Sequence, residues 1–193
     1  EDPGTLAFAG RVGTSSADLA VSLPGIDRIA ILRQDDGSWR LQQTVPVGDR
    51  PRVLAAIDLD GDLDQELVAA ATGVLSQDLS LLTESGYGVG SLAGHYDPGG
   101  RAVGLATATS PVTGLPVLAA ALQDASQLAV FAVDGSTLTE VYRTGTSLSP
   151  DGLLGFVYGG GEPGFMTWHH DRGLIEFQHL TADGLQPDGR YFA

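Results

Sequence analysis

The sequence predicts an all-β chain built as a β-propeller of about four four-stranded blades, and three observations predict it. First, 27 Gly and 10 Pro are spread along 193 residues too evenly to leave space for a long helix. Second, short apolar runs alternate with Pro, Gly and Asp turns, as strands and hairpins do. Third, the runs repeat: the segments at 18–23, 66–71, 116–121 and 164–169 line up with start positions 48, 50 and 48 residues apart. Residues 1–193 read as one domain, with blade-like repeats at about 5–51, 52–101, 102–151 and 152–193.

Each repeat opens with a strand of small residues, at 5–9, 52–57, 102–106 and 153–157, where Ala and Gly let strands crowd near a central axis. The repeat-defining run follows as a second strand. A third comes about ten residues later, at 28–32, 78–82, 127–131 and 173–177. Turns containing Gly close the third strand at 35–38, 84–86, 134–136 and 182–184. Asp-Gly at such a place supplies the positive φ angles of a tight hairpin. A fourth strand leaves the turn at 39–45 and 138–142, looser in alternation and more polar, as a solvent-facing outer strand is. Four strands graded from a narrow inner one to a polar outer one describe a propeller blade. A β-sandwich also has many short strands, but it requires no repeat at this period.

The chain end leaves alternatives open. Residues 186–192 share Pro-Asp-Gly with 149–154, which lead into an inner strand, so they either begin a fifth unit or form the outer strand of the fourth. Four blades lie at the small end of ring sizes. A larger ring, completed by a further segment or by a second copy as a homo-oligomer, fits the same pattern.

Ten basic and 24 acidic side chains give a formal net charge of −14, and the chain has no Cys, no Lys and no Asn. The missing Cys excludes disulfides, thiol nucleophiles and Cys-type zinc; the missing Lys excludes Schiff bases and a Walker-type phosphate loop. An acidic chain is repelled by nucleic acid and by anionic membrane. No apolar run approaches the roughly 18 residues that span a bilayer. Residues 1–4, Glu-Asp-Pro-Gly, carry no signal-peptide pattern, and a mature secreted chain reads the same way.

One loop carries chemistry. Asp58-Leu59-Asp60-Gly61-Asp62-Leu63-Asp64-Gln65-Glu66 sets carboxylates at positions 1, 3, 5, 7 and 9 between the first two strands of the second repeat. Five carboxylates in nine residues repel one another unless a cation offsets them, and an all-oxygen set taking six to eight ligands favours Ca²⁺ over transition metals. A solvated acidic turn is the alternative. The loop resembles the FG-GAP/VCBS repeat family, the calcium-loop β-propeller repeats of integrin α-subunit heads and many secreted bacterial proteins. Asp58, Asp60, Gly61 and Asp62 match that family's pattern, Glu66 replaces its last Asp, and Leu67-Val68-Ala69 continues as the strand. The resemblance implies side-chain ligation by Asp58, Asp60, Asp62 and Glu66, with the Asp64 carbonyl filling a further place. It also implies protein or glycan partners on one propeller face. Leu63 departs from the pattern, standing where the family has Gly.

Other candidates read as structure. His169-His170-Asp171 are strand and turn residues, since strand neighbours point to opposite faces. His95-Tyr96-Asp97, Gly86 to Gly90 and Gly159 to Gly161 read as loops. Trp39 and Trp168 read as packing residues, with sugar stacking as their functional alternative. No Gly-x-Ser-x-Gly elbow occurs. The expectation is a non-catalytic, calcium-stabilised recognition or scaffolding module in an extracellular or periplasmic setting. Its rivals are a propeller-based polysaccharide lyase or hydrolase, drawing on Arg11, Arg52, Arg101 and His95, and a half-ring that self-associates.

Overall fold

The computed structural model describes residues 6–10, 17–58, 65–75, 78–84 and 89–192. Among them the chain is all-β, apart from one 3-10 turn at His170–Arg172. Its strands form four four-stranded antiparallel sheets, each a meander of consecutive strands. Blade 1 contains β1 (Leu6–Gly10), β2 (Ala17–Leu23), β3 (Arg28–Asp35) and β4 (Ser38–Pro46). Blade 2 contains β5 (Pro51–Ile57), β6 (Glu66–Ala71), β7 (Leu79–Glu84) and β8 (Val89–Tyr96). Blade 3 contains β9 (Ala102–Thr109), β10 (Pro116–Leu122), β11 (Gln127–Asp134) and β12 (Thr137–Gly145). Blade 4 contains β13 (Gly152–Val157), β14 (Pro163–His169), β15 (Leu174–Thr181) and β16 (Gly184–Phe192).

Residues 184–192 are therefore the outer strand of the fourth blade and not the start of a fifth. A second correction concerns blade 2: His95 and Tyr96 end a strand, β8, which also includes Gly90. The glycines in that stretch mask a strand that pairs Ser80 with His95 and Leu79 with Tyr96, its register shifting at Leu81/Leu82 and again at Thr83/Glu84. The Asp-Gly turn of blade 1 behaves as its sequence requires, with Asp36 at φ 48° and Gly37 at φ 76° between β3 and β4.

The chain divides into two compact units, one of residues 1–97 with 134–137 and the other of residues 98–133 with 138–193. Within the first, β5 lies beside β1 and β2. Its core joins Ala20, Ile29, Ile31 and Val45 of blade 1 to Leu54, Leu67, Ala69 and Leu82 of blade 2. Within the second, β13 lies beside β9, and Val117, Ala119, Ala121, Leu128 and Val130 of blade 3 meet Leu153, Phe165 and Leu180 of blade 4. In both, alternate residues of neighbouring sheets interlock face to face, the packing that strand periodicity dictates. The β4 and β12 strands stay mostly exposed, as their polar sequences predict.

Candidate functional site

The acidic loop opens at a hairpin mouth. Ile57 pairs with Glu66, so Asp58 and Glu66 stand at the two ends of the β5–β6 connection. Glu66 is 5% exposed on a strand whose other residues are all buried and apolar. A carboxylate there calls for compensation. Asp60, Asp62 and Asp64 lie outside the described residues. Among the described residues no three acids or histidines converge in a metal-holding group, so a metal site here depends on residues 59–64. The residues fit a hard cation in their chemistry, all of them oxygen donors at the ends and within one short loop.

Two polar centres, each built on a buried side chain of a third strand, escape a reading of the sequence alone. In blade 2, Ser80 is fully buried and its hydroxyl accepts the Gly48 N–H at 3.2 Å. His95 Nδ1 lies 3.1 Å from Ser80 Oγ and 3.0 Å from Asp78 Oδ2. Both contacts fall on one ring nitrogen. A Ser-His-Asp relay needs them on opposite nitrogens, so this is a clamp and not a triad.

In blade 4, Glu176 and His169 are each 2% exposed, and His169 Nε2 lies 2.9 Å from Glu176 Oε2. Glu176 also accepts the Ser147 N–H at 2.8 Å and the Ser147 hydroxyl at 2.6 Å, and Arg190 Nε sits 2.9 Å from its Oε1. Burial pushes the carboxyl up, but the Ser147 hydrogen bonds, His169 and Arg190 outweigh it and hold Glu176 below the usual carboxylate range. His170 lies outside this centre, exposed in the 3-10 turn, so the paired histidines do not act together. The alternation of Leu174, Glu176, Gln178 and Leu180 onto one buried face was the available signal for Glu176.

The most site-like feature is on the opposite face of blade 4. Cross-strand rows place Trp168, Ile175 and Tyr191 side by side, then Met166, Phe177 and Gly189. Phe156 and Tyr158 lean over Gly164, where an added Cβ would come within 2.7 Å of one ring and 2.5 Å of the other. Only glycine leaves room for them. The rings meet in sequence: Tyr158 with Phe156 at 4.8 Å between centroids, Phe156 with Phe177 at 5.8 Å and Phe177 with Tyr191 at 5.5 Å. They line a cleft of about 380 Å³ together with Ile175, Asp188 and Gly189. That volume is in the range of small-molecule sites.

Tyr158 donates its hydroxyl hydrogen to Asp188 Oδ2 at 2.6 Å. Burial first, then the bond to Asp188 and the charge of that carboxylate, push the Tyr158 phenol up to about 12. It stays a donor across the physiological range. His179 lies against Tyr158 at 4.5 Å between centroids, tilted by 44°, and pairs with Glu162 at 3.0 Å. Trp168 is 38% exposed beside the cleft yet its indole packs over Gly152 within the blade, while Trp39 is exposed on the outer strand of blade 1.

The residues nominated for an enzyme do not gather into one described site. Arg11 lies outside the described residues; Arg101 bonds Gln123 and Asp124; His95 belongs to the Ser80 clamp.

Meandering four-stranded sheets of this kind define a β-propeller-like fold. No protein-family model and no curated protein matches the chain. Solved structures do. A putative 6-phosphogluconolactonase from Bacteroides uniformis matches with TM-score 0.72 at 16% identity, over 96% of this chain and 56% of its own. One from Bacteroides fragilis matches with TM-score 0.67 at 17% identity, over 94% of this chain and 52% of its own. The BBS1N chain, solved in complex with ARL6DN, matches with TM-score 0.65 at 8% identity, over 97% of this chain and 67% of its own. At these identities the likeness is one of fold. The chain spans about half the length of the Bacteroides proteins it matches.

Proposed function

We propose that the chain is a non-catalytic recognition module of the β-propeller type, acting on protein or glycan partners in an extracellular or periplasmic setting and stabilised by Ca²⁺ in its second blade. The observation that carries the recognition reading is the blade 4 cleft. Its lining is mostly aromatic with a single carboxylate, Asp188, which is the make-up of a surface that grips and orients a group. The setting and the partner classes follow from the resemblance of the Asp58–Glu66 loop to calcium-loop propeller repeats.

Ca²⁺ would be held by the carboxylates of Asp58, Asp60, Asp62 and Glu66 and the carbonyl of Asp64, offsetting like charges crowded into nine residues. Its effect is a pinned β5–β6 hairpin. Thermal unfolding with Ca²⁺ and with a chelator tests this. An ion at a hundred times its Kd that binds only the folded chain adds about 2.7 kcal/mol. Asp60→Ala should abolish the increment, and the absence of any shift in the parent chain would retire the calcium site.

The likeness to the Bacteroides proteins favours a second reading, a propeller enzyme acting on carbohydrate. Turnover of 6-phosphogluconolactone or of a polysaccharide above the uncatalysed rate would support it. The charge of −14 and the Asp188 lining oppose a phosphorylated, anionic substrate at the blade 4 cleft. A third reading, a half-ring that self-associates, is separated by light scattering against the 19.9 kDa chain mass.

A further inference from the structure

We infer that the blade 4 cleft receives an alkylated or quaternary ammonium group. The inference rests on the recognition reading and names the chemistry of its ligand. Phe177 comes from β15, Phe156 from β13 and Tyr191 from β16, so the two outer rings reach Phe177 from strands on opposite sides of it. Both stand nearly perpendicular to it, at 82° and 89°. Phe177 is thus the middle ring of the three, in edge-to-face contact with Phe156 on one side and Tyr191 on the other. Ring faces carry partial negative charge, so a cleft lined by four aromatic side chains attracts an organic cation while offering its alkyl groups an apolar seat.

Charge selects the same class. Asp188 is the charged residue of the lining, and no basic side chain is among the lining residues. The Tyr158 hydroxyl donates to its Oδ2 and so holds the carboxylate beside the rings. The basic residue next in sequence, Arg190, is committed to Glu176 on the other face of the sheet. A carboxylate within an aromatic lining stabilises a positive ligand and repels an anionic one. A bare ammonium is strongly hydrated, whereas an alkylated one presents methyl groups to the rings.

Choline is the first probe, with 3,3-dimethylbutan-1-ol as its uncharged isostere and a trimethyllysine peptide as the macromolecular arm. Titration is followed by NMR and by the fluorescence of Trp168, which borders the cleft, with Trp39→Phe removing the other indole. Choline or the peptide should bind, and the isostere should bind roughly tenfold more weakly. Asp188→Asn and Tyr191→Ala should each weaken binding about five- to twentyfold. Both residues are exposed, Tyr191 to 64%, so their variants keep the fold and the loss reports on the site.

Equal binding of the isostere would overturn the inference. Saturable binding of a neutral oligosaccharide but not of either cation would overturn it and leave the recognition reading standing. A stable dimer that Tyr191→Ala dissolves would overturn both, assigning this face to a second copy.

Discussion

The second and fourth blades share a backbone pattern and differ in what they hang on it. Ser80 and Glu176 occupy the same place: third strand, buried, paired to the second strand through Ala69 or Thr167 and to the outer strand through His95 or Arg190. Each accepts a backbone N–H from the segment that enters its blade, Gly48 for Ser80 and Ser147 for Glu176. Blades 1 and 3 have Ala30 and Ala129 there, both buried. A buried acceptor on the third strand is therefore a device for tying an incoming segment to a sheet. One blade achieves it with a neutral hydroxyl and the other with a charge.

The two devices should fail differently. A hydroxyl with one backbone donor is a small commitment. Glu176 collects Ser147 twice, Arg190 and His169, and a buried carboxylate of this kind is costly unless all of them are in place. Glu176→Ala leaves His169 Nε2 and the Ser147 N–H without the carboxylate they share, at a buried position. It should cost about 3–5 kcal/mol, the usual price of breaking a buried ionic network from one side. Urea unfolding at pH 7 measures it, and a loss under 1 kcal/mol would mean the network holds nothing.

The pH dependence has a definite sign. The folded-state pKa of Glu176 is depressed, so its contribution is present above the carboxyl's ordinary value and is lost as pH falls through the folded value. The parent chain should weaken on acidification below about pH 4.5, and Glu176→Gln should show a shallower acid slope.

Ser80→Ala is the smaller break. It leaves the Gly48 N–H without its acceptor and leaves His95 with Asp78 alone, for an expected loss of about 1–3 kcal/mol. The acid slope should stay that of the parent, because no charge is removed. If Ser80→Ala cost as much as Glu176→Ala, the contrast between a neutral and an ionic tie would collapse.

The other faces of these blades diverge as well. Val68, Ala70, Leu79 and Leu81 of blade 2 are fully buried, whereas blade 4 sets Met166, Trp168, Phe177 and Tyr191 at half-buried or exposed positions. Small aliphatic residues make one face core; large rings over glycine make the other a cleft.

This difference explains what the sequence discloses. Strand starts were legible because apolar runs and Asp-Gly turns are local signals: the run at 66–71 is β6 to the residue. β8 was hidden because Gly90 and Gly94 interrupt its alternation, and β16 because Pro187 and Gly189 sit within it beside a register shift at Phe177 and Gln178. The cleft was illegible for another reason. Phe156, Phe177 and Tyr191 come from three strands, and pairing alone brings them together. Glu176 lay between these cases, an acid on an otherwise buried alternation that was visible but carried no sign of its partners.

The finest test of the contrast lies at the rim of the cleft. Tyr158 and Asp188 form a surface tie where Glu176 forms a buried one, and an exposed hydrogen bond contributes about 0.5–1.5 kcal/mol against the cost above. Tyr158→Phe should fall in that small range. Its more telling consequence is spectroscopic. The phenol is raised to about 12 by burial and then by the Asp188 carboxylate, so Asp188→Asn removes the second influence and keeps the first. Ultraviolet titration of phenolate absorbance in the variant should bring one tyrosine closer to its ordinary value near 10, yet still above it. A return all the way to 10 would make Asp188 the whole cause. No movement would show that the hydrogen bond does not hold the rim in solution, and the carboxylate that selects a cationic ligand would then be free to swing away from the rings.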